Sequence, residues 1–430
     1  SDRLKYFLET RNAVPEEQHR FRKSKSTHTA LRQLLAEIWE TLAEPRRPLY
    51  AVFIDLKAAF DLAPRNIIME KLALEGVPNQ LLNILGAILR ESIVCIDNGI
   101  GIVGRVKQTS GVAQGDGLSP LLFSVLLGGL PYRVRQGWTR EWANTLMYAD
   151  DIAIYGRSLF RVKQGLERLI NYMDDMGLSF NWQKTVAVKF RRGDRLAKDD
   201  VLRARGNTVN FVNKFTYLGV TITSNGSSFR KHIESRVGKA IRAAAAIKNP
   251  QMLSIHTASA LFKIKIEPIA TFGVSLIWEK LGEADLQLLD RVRFFFMKRV
   301  LGLANSCRNR IVHILEGGAL MTQELQVKRG LPKTTAFVAY TMKWGEKLKD
   351  IDIGIYTTIA MRSTTWRAAG YKNRHLTTAF AAHGFHHVLC STQEFHNPQE
   401  CCRCARCLGH CDRYHAAACP AVQSIAELAR

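Results

Sequence analysis

Apolar residues recur at helical spacing over residues 27–44, where Leu31, Leu34, Leu35, Ile38 and Leu42 share one face. Ser26 or Thr27 is placed to cap this helix and Pro45 to stop it. The period changes at LYAVFIDL (49–56), a short and mostly apolar run of the kind that fills a buried strand. That run ends at Asp55, and KAAFDLAPRNIIMEKL returns to a helical pattern. SGVAQGDGLSPLLFSVLLGGL (110–130) reads as a glycine-bearing loop entering an apolar helix, and TLMYADDIAIY (145–155) as two β arms around a tight turn. A helix is expected over 160–176, a strand pair in GLSFNWQKTVAVKF (177–190), a charged loop at 191–200 and a strand at FTYLGVTI (215–222). After about residue 225 the segments 229–248, 256–267 and 284–301 are helical, interrupted by Pro250 and Pro268. In the first, Ile233, Val237 and Ile241 form one face, with Arg230, Lys231, Lys239 and Arg242 largely off it. Residues 341–400 show weak periodicity, and no internal repeat or low-complexity tract is present.

Charge narrows the class of partner. Against 38 acidic residues the 430-residue chain carries 61 Lys and Arg, a formal charge of +23 on an otherwise ordinary globular composition. Such an excess points to a polyanion, nucleic acid first and an anionic membrane surface second. No apolar run approaches the roughly 18 residues of a membrane-spanning helix, LLFSVLLGGL (121–130) being the nearest. The N-terminus, SDRLKYFLET, has no signal-peptide core and no initiator Met, so a fragment or processed product is expected. Six of the nine cysteines fall between positions 401 and 419, a clustering that suggests metal rather than disulfides.

The adjacent carboxylates Asp150 and Asp151 need a reason, because like charges raise each other's pKa unless a cation offsets them. Taken alone, the stretch also reads as a solvated turn. Asp55 changes the balance: if its strand neighbours the hairpin, three carboxylates meet at one sheet rim. Hard cations such as Mg²⁺ take carboxylates together with substrate phosphates, and a pair of them serves in-line phosphoryl displacement.

In order, AVFIDLKAAFD, GVAQGDGLSPLLF, TLMYADDIAIY, GLSFNWQKT and FTYLGVTI resemble the successive palm motifs of reverse transcriptases, most closely those of non-LTR (LINE-type) retrotransposons. HRFRKSKST (19–27) resembles a fingers block of these enzymes, and the helices after 225 their thumb. The resemblance implies an α+β right-hand polymerase with partial fingers, a palm built on an antiparallel sheet, and a helical thumb. It makes Asp55, Asp150 and Asp151 ligands of two Mg²⁺ ions and Lys184 a proton donor to pyrophosphate, where a plain surface lysine is the alternative. Phe60 becomes the aromatic gate against a ribose 2′-hydroxyl, with a core side chain as the alternative, and Asp61 a structural residue of the turn. Gln114 and Gly115 would lie against nucleotide and template, Tyr148 near the primer terminus, and Leu218 and Gly219 in the primer-grip hairpin. Arg22 and Lys23 would contribute to the nucleotide grip, although a basic fingers segment that the family carries upstream is not all present here. Two positions depart from the family pattern: Arg20 stands at a usual Gly, and Gly117 where Pro is common.

Cys404-x2-Cys407-x7-His415-x3-Cys419 supplies four thiolate and imidazole ligands suited to tetrahedral Zn²⁺, with Cys401, Cys402, His410 and Cys411 offering competing sets. It also resembles the CCHC zinc-knuckle element that follows the polymerase in several such retrotransposons. His383, His386 and His387 complete no site and read as surface. The expected organisation is partial fingers (1–47), palm (48–212), primer grip and thumb (213–340), a connection (341–400) and a zinc-binding tail (401–430). The expected partners are an RNA template, a DNA primer or target and dNTPs, with no membrane. By resemblance the site of action is the nucleus, with a cytoplasmic ribonucleoprotein stage. A non-catalytic nucleic-acid-binding protein derived from a retroelement is the competing expectation, and a maturase-like RNA-splicing cofactor a third.

Overall fold

The computed structural model describes residues 2–349 apart from 45–46, 114, 136–142, 193–201, 304, 306–308 and 317–318. Gln114 and the entire Cys/His tail therefore lie outside the described residues. The chain divides into two compact units, one ending at Ser227 and the other beginning at Ser228. The expected primer-grip hairpin falls in the first unit, not with the helices that follow it.

In chain order the first unit contains helices α1 (Asp2–Thr10) and α2 (Thr27–Ala43), strand β1 (Leu49–Ile54), and helices α3 (Ala59–Leu62), α4 (Arg65–Leu74) and α5 (Asn79–Arg90). Strands β2 (Ile93–Asp97) and β3 (Ile102–Lys107) precede helices α6 (Ser119–Leu126) and α7 (Leu130–Arg135), strands β4 (Asn144–Tyr148) and β5 (Asp151–Gly156), and helix α8 (Leu159–Asp175). Strands β6 (Val186–Phe190), β7 (Leu202–Ala204), β8 (Asn207–Phe211), β9 (Lys214–Tyr217) and β10 (Val220–Thr223) complete it. Ser26 caps α2 in a full capping box with Thr29, as the sequence pattern requires.

Six strands form the main sheet in the order β4-β5-β1-β6-β8-β7, antiparallel except for the β6–β8 pair. Alternation along the central strand sorts its side chains between two cores. Val52 and Ile54 join Ile152 and Ile154 in the apolar core shared with α4, α6, α7 and α8. Phe53 points the other way, where its ring stacks on Phe215 of the β9–β10 hairpin at 4.4 Å. On that side α2 packs against β1 and β4. The central position explains why LYAVFI is apolar on both faces.

Two expected elements differ. Residues 177–190 give one strand, β6, because the chain turns at Asn181, whose carbonyl accepts from the backbone N–H groups of Lys184 and Thr185. FTYLGVTI is a hairpin, not a strand: Leu218 and Gly219 take φ of 45° and 82°, the positive angles a two-residue hairpin turn requires.

The second unit is helical, with α9 (Arg230–Ala245), α10 (Ile255–Leu261), α11 (Glu267–Thr271), α12 (Val274–Ile277), α13 (Glu283–Val300), α14 (Asn309–Glu316), α15 (Met321–Arg329) and α16 (Thr335–Lys349). A π-helical turn, Phe262–Ile266, joins α10 to α11, so the helical path runs through Pro268 instead of stopping there. Proline cannot donate to, and clashes with, a regular helical turn, and the wider π turn relieves this. Helix α13 is the hub, and Arg293, only 3% exposed, pairs with Glu316 at 2.6 Å and Glu324 at 3.0 Å. No helix among the described residues is long and apolar enough to cross a membrane.

Candidate active site

The register of the central sheet places the carboxylates. Ile54 of β1 pairs with Ile152 of β5, so the next residues along, Asp55 and Asp151, face each other at the end of this strand pair. Asp150 occupies the turn between β4 and β5, where Tyr148 pairs with Asp151. Burial first, then the charges of Asp150 and Asp55, push the Asp151 carboxyl up to about 6, while Arg20 opposes the rise. Across the same face the buried Tyr217 hydroxyl, which has no hydrogen-bond partner among the described residues, is pushed up by burial and by Asp151.

Lys184 Nζ lies 3.9 Å from Asp55 Oδ2. The backbone on either side of Asp55 is fixed, its carbonyl accepting from Asn181 N–H and its own N–H donating to Thr185 Oγ1. As the side chains stand, no group of three or more His, Cys, Asp or Glu among the described residues is arranged to hold a metal ion. The donor chemistry nevertheless fits a hard divalent cation: three carboxylate residues share one rim, and one of them is pushed towards protonation by burial and then by the other two.

Asp150 opens onto a cavity of about 870 Å³ whose lining includes Phe60, Gly115, Asp116, Arg20, Arg22 and Lys25. Phe60 is half-buried and its ring stacks on Phe123 at 4.6 Å, so it is both a packed side chain and a wall of the cavity. Its carbonyl accepts from Val112 N–H, which ties the glycine-bearing loop to this wall of the cavity. At Gly111, φ is +74° and an added Cβ would come within 2.3 Å of the Asp61 carbonyl oxygen. Asp61 thus serves the turn through its backbone, also accepting from Ser110 Oγ, and its side chain is exposed. Gly115 has φ of +92° with open space where a Cβ would sit, so its demand is conformational.

The basic segment divides differently from the sequence expectation. Arg22 lines the cavity but bonds Glu16 Oε1 and the Pro15 carbonyl, and Lys23 is exposed and absent from the lining. Lys25, not singled out from sequence, lines the cavity and pairs with Glu16 at 2.6 Å. Arg20 lies over the rings of Phe21 and Tyr148, at 4.6 and 5.3 Å, beside Asp150. Sequence reasoning also missed Gln18, a fully buried side chain that bonds the Ala149 backbone N–H. Neither periodicity nor a motif marks that residue.

Residues 1–222, just over half of the chain, match the reverse transcriptase (RNA-dependent DNA polymerase) family. The chain belongs to the reverse transcriptase family. The chain is 25% identical over 191 residues to the Pol polyprotein of the type-1 retrotransposable element R2 of Nasonia vitripennis, covering 41% of the chain and 18% of that protein. It is 24% identical over 329 residues to a probable RNA-directed DNA polymerase from transposon BS of Drosophila melanogaster, covering 73% and 35%. To the RNA-directed DNA polymerase from mobile element jockey of the same fly it is 23% identical over 312 residues, covering 69% and 33%. These relatives place it with the reverse transcriptases of non-LTR retrotransposons, and it spans between 18% and 35% of their lengths. Among solved structures, apo telomerase from Candida tropicalis matches with a TM-score of 0.42 at 13% identity, covering 70% of this chain and 50% of that one.

Proposed function

We propose that this reverse transcriptase copies an RNA template into DNA, adding deoxynucleotides to a primer 3′-hydroxyl. The observation that carries the reading is the meeting of Asp55 with Asp151 across β1 and β5, beside Asp150 at the mouth of a cavity walled by Phe60. Asp55, Asp150 and Asp151 would hold Mg²⁺, which when bound supplies charge stabilisation to the attacking and leaving oxygens. Lys184 is close enough to Asp55 to deliver a proton to the departing pyrophosphate. Phe60 excludes the 2′-hydroxyl by bulk. Gly115 lets the nucleotide approach the backbone, with Gln114 beside it, and the Leu218–Gly219 turn grips the primer. The first unit is then fingers and palm and the second a thumb, whose basic residues hold the duplex through its phosphates.

The tail ligands Cys404, Cys407, His415 and Cys419 are proposed to hold Zn²⁺, on donor chemistry alone. Retrotransposon origin supports the nucleus as the place of action.

Primer extension on an RNA template with Mg²⁺ and dNTPs tests the reading. Product is expected from wild type and none from Asp150→Asn. A folded wild type that binds the duplex without extending it would favour a non-catalytic nucleic-acid-binding protein instead.

A further inference from the structure

We infer that Gln18 is a positioning residue for the Asp150–Asp151 turn, holding it from outside the sheet. The inference deepens the polymerase reading and rests on it for its kinetic readout. Strand β4 is an edge of the six-stranded sheet, and Glu17–His19 runs along that edge. Met147 N–H donates to the Glu17 carbonyl at 2.9 Å, and His19 N–H donates to the Met147 carbonyl at 2.8 Å. This pairing delivers the Gln18 side chain to the turn, where Oε1 accepts from Ala149 N–H at 2.9 Å and from Arg20 N–H at 3.1 Å.

Three features separate this contact from ordinary packing. Ala149 has φ of 56°, a conformation that L-residues avoid unless their surroundings impose it, and it immediately precedes the two aspartates. Rotation of its peptide would carry Asp150 away from Asp55, and the Gln18 bond to the Ala149 amide opposes that rotation. Next, two N–H donors on one oxygen fix the amide's orientation, which leaves Gln18 Nε2 buried without a partner among the described residues. A side chain that only filled this space would bring no Nε2 donor to leave unsatisfied, whereas Gln18 carries that cost and in return satisfies the Ala149 and Arg20 N–H groups. Finally, the segment is itself anchored. His19 Nδ1 and Nε2 bond Thr29 Oγ1 at 2.8 Å and Gln33 Oε1 at 3.1 Å, and Gln33 Nε2 donates to the Tyr155 hydroxyl on β5. The strand bearing Asp151 and the residue holding its turn are therefore tied to the same support.

Gln18→Met and Gln18→Glu test the assignment in the full chain. For single-nucleotide addition, Gln18→Met is expected to lower kcat by roughly tenfold or more, with KM for the dNTP within about threefold of wild type. Mn²⁺ affinity, read by electron paramagnetic resonance without substrate, is expected to weaken by at least about threefold, while the melting temperature falls by roughly 2–10 °C for the orphaned Ala149 N–H and the chain stays folded at the assay temperature. Gln18→Glu keeps both acceptor contacts and should restore both readouts to within about threefold. Wild-type kcat and Mn²⁺ affinity in Gln18→Met would overturn the inference. If wild type extends no primer, the polymerase reading fails and the Mn²⁺ titration decides on Gln18 by itself. If Gln18→Met does not fold, Gln18→Asn takes its place: one methylene shorter, it should lose what Gln18→Glu keeps, and equal behaviour of the two would refute the role.

Discussion

Magnesium should stabilise the folded chain through Asp151 within a pH window set by that carboxyl. Burial, then Asp150 and Asp55, lift it from its ordinary 3.8 to about 6. Well below pH 3.8 the group is protonated in folded and unfolded chains alike, and it adds nothing to the pH dependence. As pH rises from 3.8 to about 6 the unfolded chain releases this proton and the folded chain keeps it, so stability falls. Above that range the folded state carries the whole penalty of its crowded carboxylates. Unscreened, the change amounts to about 3 kcal/mol. Asp151 is nonetheless exposed, and solvent screening reduces the figure to about 1 kcal/mol. That corresponds to roughly 2–4 °C in melting temperature for a unit of this size.

Scanning calorimetry of wild type and Asp151→Asn, with and without Mg²⁺ at pH 8 and pH 4, measures the effect. Without divalent ions at pH 8 the variant should melt roughly 2–4 °C above wild type, and the gap should shrink at pH 4. Saturating Mg²⁺ at pH 8 should raise wild type by a similar margin and leave Asp151→Asn nearly unmoved. Coincident melting of the two proteins at pH 8, whether or not Mg²⁺ is present, would refute the electrostatic account of the site.

Three further outcomes follow from single contacts. Phe60→Val should open the cavity wall and cut discrimination against ribonucleotides by roughly 10–200-fold in kcat/KM, read by competing dNTP and rNTP in primer extension. Gly111→Ala forces a side chain into a positive φ and against the Asp61 carbonyl, and should cost about 3 kcal/mol or more in urea denaturation. Arg293→Ala removes the guanidinium that Glu316 bonds in the interior of the helical unit. It should destabilise that unit by about 3–5 kcal/mol, whereas the double variant Arg293→Met/Glu316→Met should recover most of the loss in the same melt.

The parts of the fold legible in the sequence are those in which one side chain property repeats. LYAVFI reads as a central strand because both its faces are apolar, and α2 reads as a helix because its leucines recur and Ser26 caps it. The turn at Asn181 and the split of FTYLGVTI were not legible by periodicity, since each depends on backbone angles at one or two residues. Hairpin β2–β3 gave no inside-outside pattern because every residue of β2 is exposed. At the site, the sequence left the meeting of Asp55 with Asp150 and Asp151 conditional on their strands being neighbours, and it is the β1–β5 register, not readable from the residues, that sets Asp55 opposite Asp151. The basic residues were harder. Whether Arg22, Lys23 or Lys25 reaches the cavity depends on where Glu16 and the positive-φ residues Phe21 and Ser24 turn the loop. Pro268 misled for a related reason: a π turn is not written in apolar spacing.

The position of β1 has a consequence for synthesis. Its neighbours in the sheet are β5 and β6, encoded roughly a hundred residues or more downstream. At about 5–20 residues per second, a ribosome takes on the order of 5–20 s to travel from Asp55 to Asp151. Throughout that interval the nascent chain displays an apolar strand with two bare edges, a template for pairing with other chains. Any shortened product ending before Asp151 lacks strand β5 altogether, so premature termination leaves β1 an apolar strand without this partner and therefore an aggregation hazard.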